Sequence, residues 1–307
     1  MKSNIANQNI GIPKTIHRMW LDNKVSDNTV PPKKYNRFIE SFDKHNPEFR
    51  VEFWNMNRVK KLFDQDSLIK KYQTVWENLP HHIQKCDMAR FIIMYLYGGV
   101  YIDLDFRCFK NLSPLLDREL LLVFEPIEHS DFDKTINRKI YNGFIGSVPK
   151  HQFWLDWLEF VCESVKKTDD VWLTTGPANF GIFWRQSKYR NIELIDTCDI
   201  LPIYYCNDTH CFSRECANRI PEADYLSKNY YQKMGNYVDT LWNAGSGWNS
   251  GGKLETLEND NEGKLETLKN DNEKIFFKQN NYKFMWIIPL FLLIIIVIII
   301  YLVFRKK

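Results

Sequence analysis

The chain lacks any real imbalance of charge. Its 41 Lys and Arg face 38 Asp and Glu over 307 residues, and the formal +3 is accounted for by Arg305, Lys306 and Lys307 alone. A neutral body has no electrostatic footprint for a phosphate backbone, so nucleic acid is not an expected partner. Metal-knuckle spacing is missing as well. The seven cysteines, Cys86, Cys108, Cys162, Cys198, Cys206, Cys211 and Cys216, contain no Cys-x-x-Cys, which argues against a structural zinc. Their odd number and scatter predict reduced thiols rather than a disulfide framework. The opening MKSNIANQNIGIPK has no apolar stretch of the roughly 7 to 15 residues that a secretory leader needs.

Hydrophobic residues are 44% of the chain and aromatics 15%, with ten Trp, enough for a substantial core or a ring-stacking pocket. Residues Met285 to Phe304 form an uncharged run of twenty. At about 1.5 Å rise per residue it spans the roughly 30 Å hydrocarbon core of a bilayer, so a transmembrane helix is predicted over 285–304. Trp286 and Tyr301 suit the interfaces, and Pro289 falls near the first turn. Three residues, the basic tail 305–307, follow it; insertion after synthesis, as in a tail-anchored protein, predicts a cytosolic body. A lumenal body is the alternative, because Lys274, Lys278 and Lys283 balance the basic tail. In that case the sequons at Asn111 and Asn207 become relevant. Between body and span, GKLETLENDNE from Gly252 repeats at once as GKLETLKNDNE from Gly263. This period of eleven is compatible with a helical stalk or a flexible spacer over 249–284. Residues 1–9 read as a tail and 10–248 as the folded body.

Within that body, apolar runs alternate with helical patterns, which predicts an α/β architecture. Strands are expected at Thr15 to Trp20, Arg50 to Trp54, Val100 to Asp103, Leu120 to Phe124, Asn142 to Ser147 and Ile192 to Ile195. Helices are expected at Pro32 to Asn46, Val59 to Lys71, His82 to Tyr97 and Gln152 to Lys166.

The stretch KCDMARFIIMYLYGGVYIDLDF, residues 85 to 106, concentrates the chemistry. Asp87 and Arg90 are three apart and so share a helical face, where they pair or point together at a polar ligand. Gly98-Gly99 permits a sharp turn into a buried strand. On an extended segment Asp103 and Asp105 face one side, about 6.5 to 7 Å apart at Cα. Hard carboxylates so placed suit Mg2+ or Mn2+, which keep positions open for water and substrate phosphates.

Asp87-x-x-Arg90, the Leu96-Tyr97-Gly98-Gly99 turn and Tyr101-x-Asp103-x-Asp105 together resemble the DXD sugar-binding region of family 32 glycosyltransferases. That family holds initiating mannosyltransferases and inositolphosphoceramide mannosyltransferases. IPKTIHRMWLDN from Ile12, NGFIGSVPKHQFW from Asn142 and TTGPANF from Thr174 extend the likeness from Ile12 to Trp248. The resemblance implies a GT-A fold, a Rossmann-like sheet carrying a nucleotide-sugar site. By position, Trp20 would stack on the base, Asp87 and Arg90 would hold the donor sugar with Asn142 beside them, and Asp103 would contact ribose and sugar. Asp105 would ligate Mn2+ or Mg2+. The closing segment departs from family 32: Thr240 stands where a His is usual. Asn243-x-x-Ser246-x-Trp248 is instead similar to the closing loop of clostridial glucosylating toxins, with Asn243 and Ser246 completing the metal shell and Trp248 on the diphosphate.

The implied reaction moves a hexose from a UDP- or GDP-sugar to a hydroxyl of a glycan, lipid or protein, with retention. Asp103, Asp105 and Arg90 are its catalytic group. Glu125, after the apolar run LLLVF, reads either as an acceptor-side acid or as a solvated strand end. Two competing functions stay open: a Mg2+-dependent phosphohydrolase using the same acids, and a non-catalytic binding protein on the same fold.

Overall fold

Strands buried on every residue need a core on each face, and β1 and β3 both meet that condition over nearly their whole length. In the computed structural model the described residues are 11–21, 31–131, 138–190, 192–206, 209–219 and 235–240. In chain order they form β1 (Thr15–Met19), α1 (Asn36–His45), β2 (Arg50–Trp54) and three short helices, α2 (Met56–Lys60), α3 (Ser67–Lys70) and α4 (Gln73–Asn78). The long α5 (His82–Tyr97) leads to β3 (Gly99–Ile102), β4 (Phe106–Cys108), β5 (Leu120–Leu121), α6 (Glu128–Asp131) and β6 (Phe144–Ser147). Then come α7 (Gln152–Val165), α8 (Val171–Thr174), α9 (Pro177–Gln186), α10 (Thr197–Ile200), β7 (Ile203–Cys206), β8 (Thr209–Phe212) and β9 (Val238–Thr240).

The main sheet has the order β2-β1-β3-β6-β5. β1 is parallel to β2 and β3, whereas β6 is antiparallel to β3 and β5. The fold is therefore mixed α/β, as expected. Alternate strand residues divide between two cores. Met19, Tyr101, Leu120 and Ile145 join Phe91, Trp154, Trp157 and Phe180 of α5, α7 and α9. Ile16, Val100, Ile102, Leu121 and Phe144 join Phe42 of α1 on the other face.

Two local devices aim α5 and β3. The Gln84 side chain accepts from the His81 N–H at the helix start, 3.1 Å, a reciprocal cap that fixes where the helix begins. At its end Gly98 and Gly99 take φ of 62° and 84°, a conformation that L side chains seldom adopt.

Several expectations are corrected. The helix predicted from Val59 to Lys71 breaks into α2, a 3-10 turn at Lys61–Asp64, and α3. Asp66 starts α3 afresh by accepting from the Leu68 N–H at 2.8 Å, a capping choice that outcompetes helix continuation. Ile192 to Ile195 contributes a single bridge, Val123 to Ile195, rather than a strand. Cys198 and Cys216 form a disulfide, contrary to the expectation of reduced thiols. α10 and the turn at Arg214–Arg219 bring together two residues that are distant in sequence. Cys86, Cys108 and Cys162 are free. No helix among the described residues is long and apolar enough to cross a membrane; the predicted spacer and span lie outside them.

Candidate functional site

α5 points Asp87 and Arg90 inward at the sheet, both buried, so they are not a surface pair. Arg90 Nη2 lies 3.0 Å from Asp87 Oδ1, and its Nη1 lies 3.4 Å from Asp103 Oδ1. The same Nη1 donates to the Asn142 carbonyl at 2.9 Å. Asp87 also accepts from Asn142 Nδ2 at 3.1 Å and from the Thr175 hydroxyl at 2.8 Å. Tyr101 donates its hydroxyl to Asp103 Oδ1 at 2.8 Å. Four residues singled out in the sequence, Asp87, Arg90, Asp103 and Asn142, thus form one network. Thr175 and Tyr101 complete it. Tyr101 opens the Tyr101-x-Asp103-x-Asp105 pattern, whereas Thr175 lay inside the TTGPANF block without anything in its spacing to mark it.

The electrostatics follow from burial and pairing. Desolvation pushes the Asp87 carboxyl up to about 6, against the pull of Arg90 and the Thr175 hydroxyl. Burial works against the Arg90 charge, yet Tyr101, Asp103 and Asp87 outweigh it and the guanidinium is held more firmly protonated than usual.

The acid pair is not on extended backbone. β3 stops at Ile102, and residues 103–105 turn into β4, with the Phe106 N–H reaching the Asp103 carbonyl at 3.4 Å. A second donor grips the same carbonyl, Arg18 Nη1 at 2.7 Å. Arg18 was not singled out in the sequence. Above the turn, a Cβ at Gly143 would collide with Asp103 Oδ2 and lie 2.6 Å from the Tyr141 hydroxyl. Only a glycine leaves the carboxylate its place. Trp20 is half-buried, its ring 5.8 Å from Tyr35. The Tyr35 phenol is raised to about 12 by burial and by the charges of Asp105 and Asp103. Tyr35 therefore lies in the field of the acid pair, with the half-buried Trp20 ring packed beside it.

Two half-exposed carboxylates in a tight turn are hard oxygen donors suited to Mg2+ or Mn2+. Among the described residues no group of three or more His, Cys, Asp or Glu converges there, so an ion bound at this turn needs further ligands from phosphate, water or elsewhere. Thr240 is buried on β9, opposite Phe106. Asn243, Ser246 and Trp248 lie outside the described residues.

Glu125 is not a solvated strand end. It is 2% exposed; His129 Nδ1 lies 2.9 Å from its Oε2, and its carbonyl accepts from Arg138 Nε at 3.1 Å. Arg138 and the neighbouring Phe124 also line a cavity of about 450 Å3 with Trp184, Leu194, Arg190 and Glu215. That cavity lies on the β5 side of the sheet.

Residues 32–122 match the family described as glycosyltransferase sugar-binding region containing DXD motif. The chain is 30% identical over 210 residues to mannosyl phosphorylinositol ceramide synthase SUR1 of Saccharomyces cerevisiae, covering 66% of this chain and 49% of that protein. It is 27% identical over 175 residues to inositol phosphoceramide mannosyltransferase 1 of Schizosaccharomyces pombe, covering 54% and 49%. The chain thus spans about half the length of these curated relatives. Among solved structures, the PaToxG glycosyltransferase is similar at a TM-score of 0.43 and 14% identity, over 57% of this chain and 70% of that one.

Proposed function

We infer that this chain, which carries the DXD sugar-binding region of glycosyltransferases, is a hexosyltransferase of GT-A fold that moves a mannosyl group from a nucleotide sugar to a hydroxyl acceptor. The observation that carries the reading is the buried network joining Asp87, Arg90, Asp103 and Asn142 beneath an open acid turn. Such a network holds its carboxylates rigidly, as recognition of sugar hydroxyls requires. Asp87 and Asp103 accept from donor hydroxyls, Arg90 fixes both acids, and Trp20 offers its ring to the base. Asp105 and, by position, Asn243 and Ser246 would hold Mn2+ or Mg2+, which when bound would supply Lewis-acid neutralisation of the leaving diphosphate. The transfer proceeds with retention at the anomeric carbon.

The mannosyl assignment and a lipid-borne acceptor follow the names of the relatives. A membrane tether at 285–304 would keep such an enzyme at its acceptor's surface. The Cys198–Cys216 bond favours the lumenal orientation over the cytosolic one, and carbohydrate on Asn207 in cells is the expected mark; an unglycosylated Asn207 with reduced cysteines would restore the cytosolic reading. For the activity, donor hydrolysis is screened across UDP- and GDP-sugars with Mn2+, and the product anomer is read by NMR. Asp105→Asn is expected to abolish transfer while leaving the thermal midpoint unchanged. Wild-type turnover in that variant refutes the reading, and phosphate release from simple phosphomonoesters points to a phosphohydrolase instead.

A further inference from the structure

The cavity of about 450 Å3 on the β5 side of the sheet shares no lining residue with the network at Asp87. Its volume is that of a small-molecule site, and its lining is of the kind such sites have, apolar walls with a few placed polar groups. Trp184, Phe124 and Leu194 give the apolar wall. The polar wall is centred on Arg138. Its Nε donates to the Glu125 carbonyl at 3.1 Å, and its Nη2 donates to the Thr197 hydroxyl at 2.7 Å and to the Glu215 carboxylate. Its Nη1 has no hydrogen-bond partner among the described residues. Thr197 and Glu215 each precede a cysteine of the Cys198–Cys216 bond. One covalent link therefore holds both sides of this wall, and a ligand meets the Arg138 donor already in place.

Charge narrows the choice of ligand. Glu215 pairs with Arg138, and Asp196 pairs with Arg219. Arg190, exposed at the cavity, has no ion pair among the described residues. The lining thus leaves one positive charge unanswered, and a guanidinium suits a carboxylate or another singly charged acid group. The Arg138 Nη1, the Thr197 hydroxyl and the two carboxylates set donors beside acceptors, as ring hydroxyls require. A wholly apolar ligand would leave those groups buried and unpaired.

We propose that this cavity is a second binding site of the chain, for an acidic sugar: a polyhydroxylated ring carrying one singly charged acid group. The acid group meets Arg190, the ring hydroxyls meet Arg138 Nη1 and Glu215, and Trp184 backs the ring. The site is separate from the acid turn, and its occupation does not depend on transfer there.

The test is saturation-transfer NMR on the full chain in detergent micelles, with methyl β-glucuronide and methyl β-glucoside, which share a ring and differ by one carboxylate. Wild type is expected to bind the glucuronide at least fivefold more tightly than the glucoside. Arg190→Ala, at an exposed position, should bring the glucuronide down to the affinity of the glucoside. Leu194→Trp, which fills the cavity without removing a polar contact, should abolish binding of both. Equal affinity for the two sugars in wild type, or no binding of either, overturns the proposal. So does unchanged glucuronide affinity in Arg190→Ala, or binding retained in Leu194→Trp, which would place the ligand elsewhere on the chain. If Leu194→Trp does not fold, wild type and Arg190→Ala decide between them by the same two criteria.

Discussion

Two buried arginines flank Asp103, and they are held in opposite ways. Arg90, from α5, has two carboxylates and a carbonyl within reach. Arg18, from β1, has one carbonyl and the face of a phenyl ring. Burial is alike for both, at 3% and 1% exposed, yet the consequences differ in sign. Neighbouring acids overcome burial at Arg90 and raise its pKa, while burial wins at Arg18 and lowers it to about 10. Burial alone therefore says little about a charge. What it faces decides whether it is structural glue or a field aimed at a neighbour.

The contrast is broken most directly at Arg90. Replacing it by Met leaves Asp87 buried without its cation, and removing one partner of a buried pair costs about 3–5 kcal/mol. Urea denaturation at neutral pH should show a loss of that order. The deficit should shrink on acidification, because a stranded Asp87 relieves itself by taking a proton. A loss below about 1 kcal/mol would mean that Arg90 is no better engaged than Arg18.

Acid titration sharpens the same comparison from the carboxylate side. Asp87 is raised to about 6, chiefly by burial. Between the ordinary carboxylate value and 6, the folded chain holds a proton that the unfolded chain has released. Stability from this group therefore falls as pH rises through that window. His17 runs the other way. It accepts from Trp54 Nε1 at 3.0 Å and its Nε2 lies 2.9 Å from the Gly98 carbonyl, and burial lowers it to about 4. Below the ordinary His value the unfolded chain binds a proton that the folded chain refuses, so stability falls as pH drops from there toward 4. Each effect amounts to about 3 kcal/mol, and they oppose each other. Asp87→Asn should unmask the His17 limb, giving a steeper loss of stability between pH 6 and 4 than wild type. Parallel curves would refute the Asp87 assignment. On the proposed role of Asp87 as an acceptor for the donor sugar, donor-sugar binding should weaken below about pH 6 in wild type.

Gly143→Ala tests whether Asp103 needs its cradle. The added methyl meets Asp103 Oδ2 and the Tyr141 hydroxyl, and overpacking of this kind costs about 1–3 kcal/mol. Nucleotide-sugar affinity should fall at least tenfold by calorimetry; wild-type affinity would show that Asp103 can move without harm.

Helix α5 was legible in the sequence to the residue, because an unbroken apolar run ends on two glycines that nothing else could replace there. Asp87 and Arg90 were legible as one helical face from their spacing, and Asp103 joined them through the resemblance carried by the residues around it. The turn at Asp103 was not. Its carbonyl is gripped by Arg18, a charge inside a strand whose partner lies 85 residues away, and no local pattern announces such a contact. Glu125 was left open between two readings. Its partners are close in sequence, His129 four residues on and Arg138 thirteen, but they meet it only because the chain turns back after Phe124, which the apolar run before it does not announce. The broken helix after Val59 failed differently: apolar periodicity ran on, but the Asp66 cap decided the boundary locally.

The smallest expected effect closes the comparison. Arg18→Met removes a buried charge that has no carboxylate partner and refills the space with an apolar chain of similar length. Exchanges of this type are often neutral or stabilising. Against that stands one lost hydrogen bond, worth about 1 kcal/mol. The Asp103 carbonyl it served is still approached by the Phe106 N–H at 3.4 Å. Stability should therefore lie within about 1 kcal/mol of wild type, where Arg90→Met loses several. A cost above about 3 kcal/mol would place Arg18 with Arg90 as a paired structural cation. It would also mean that the buried Nη2 is a necessity of folding.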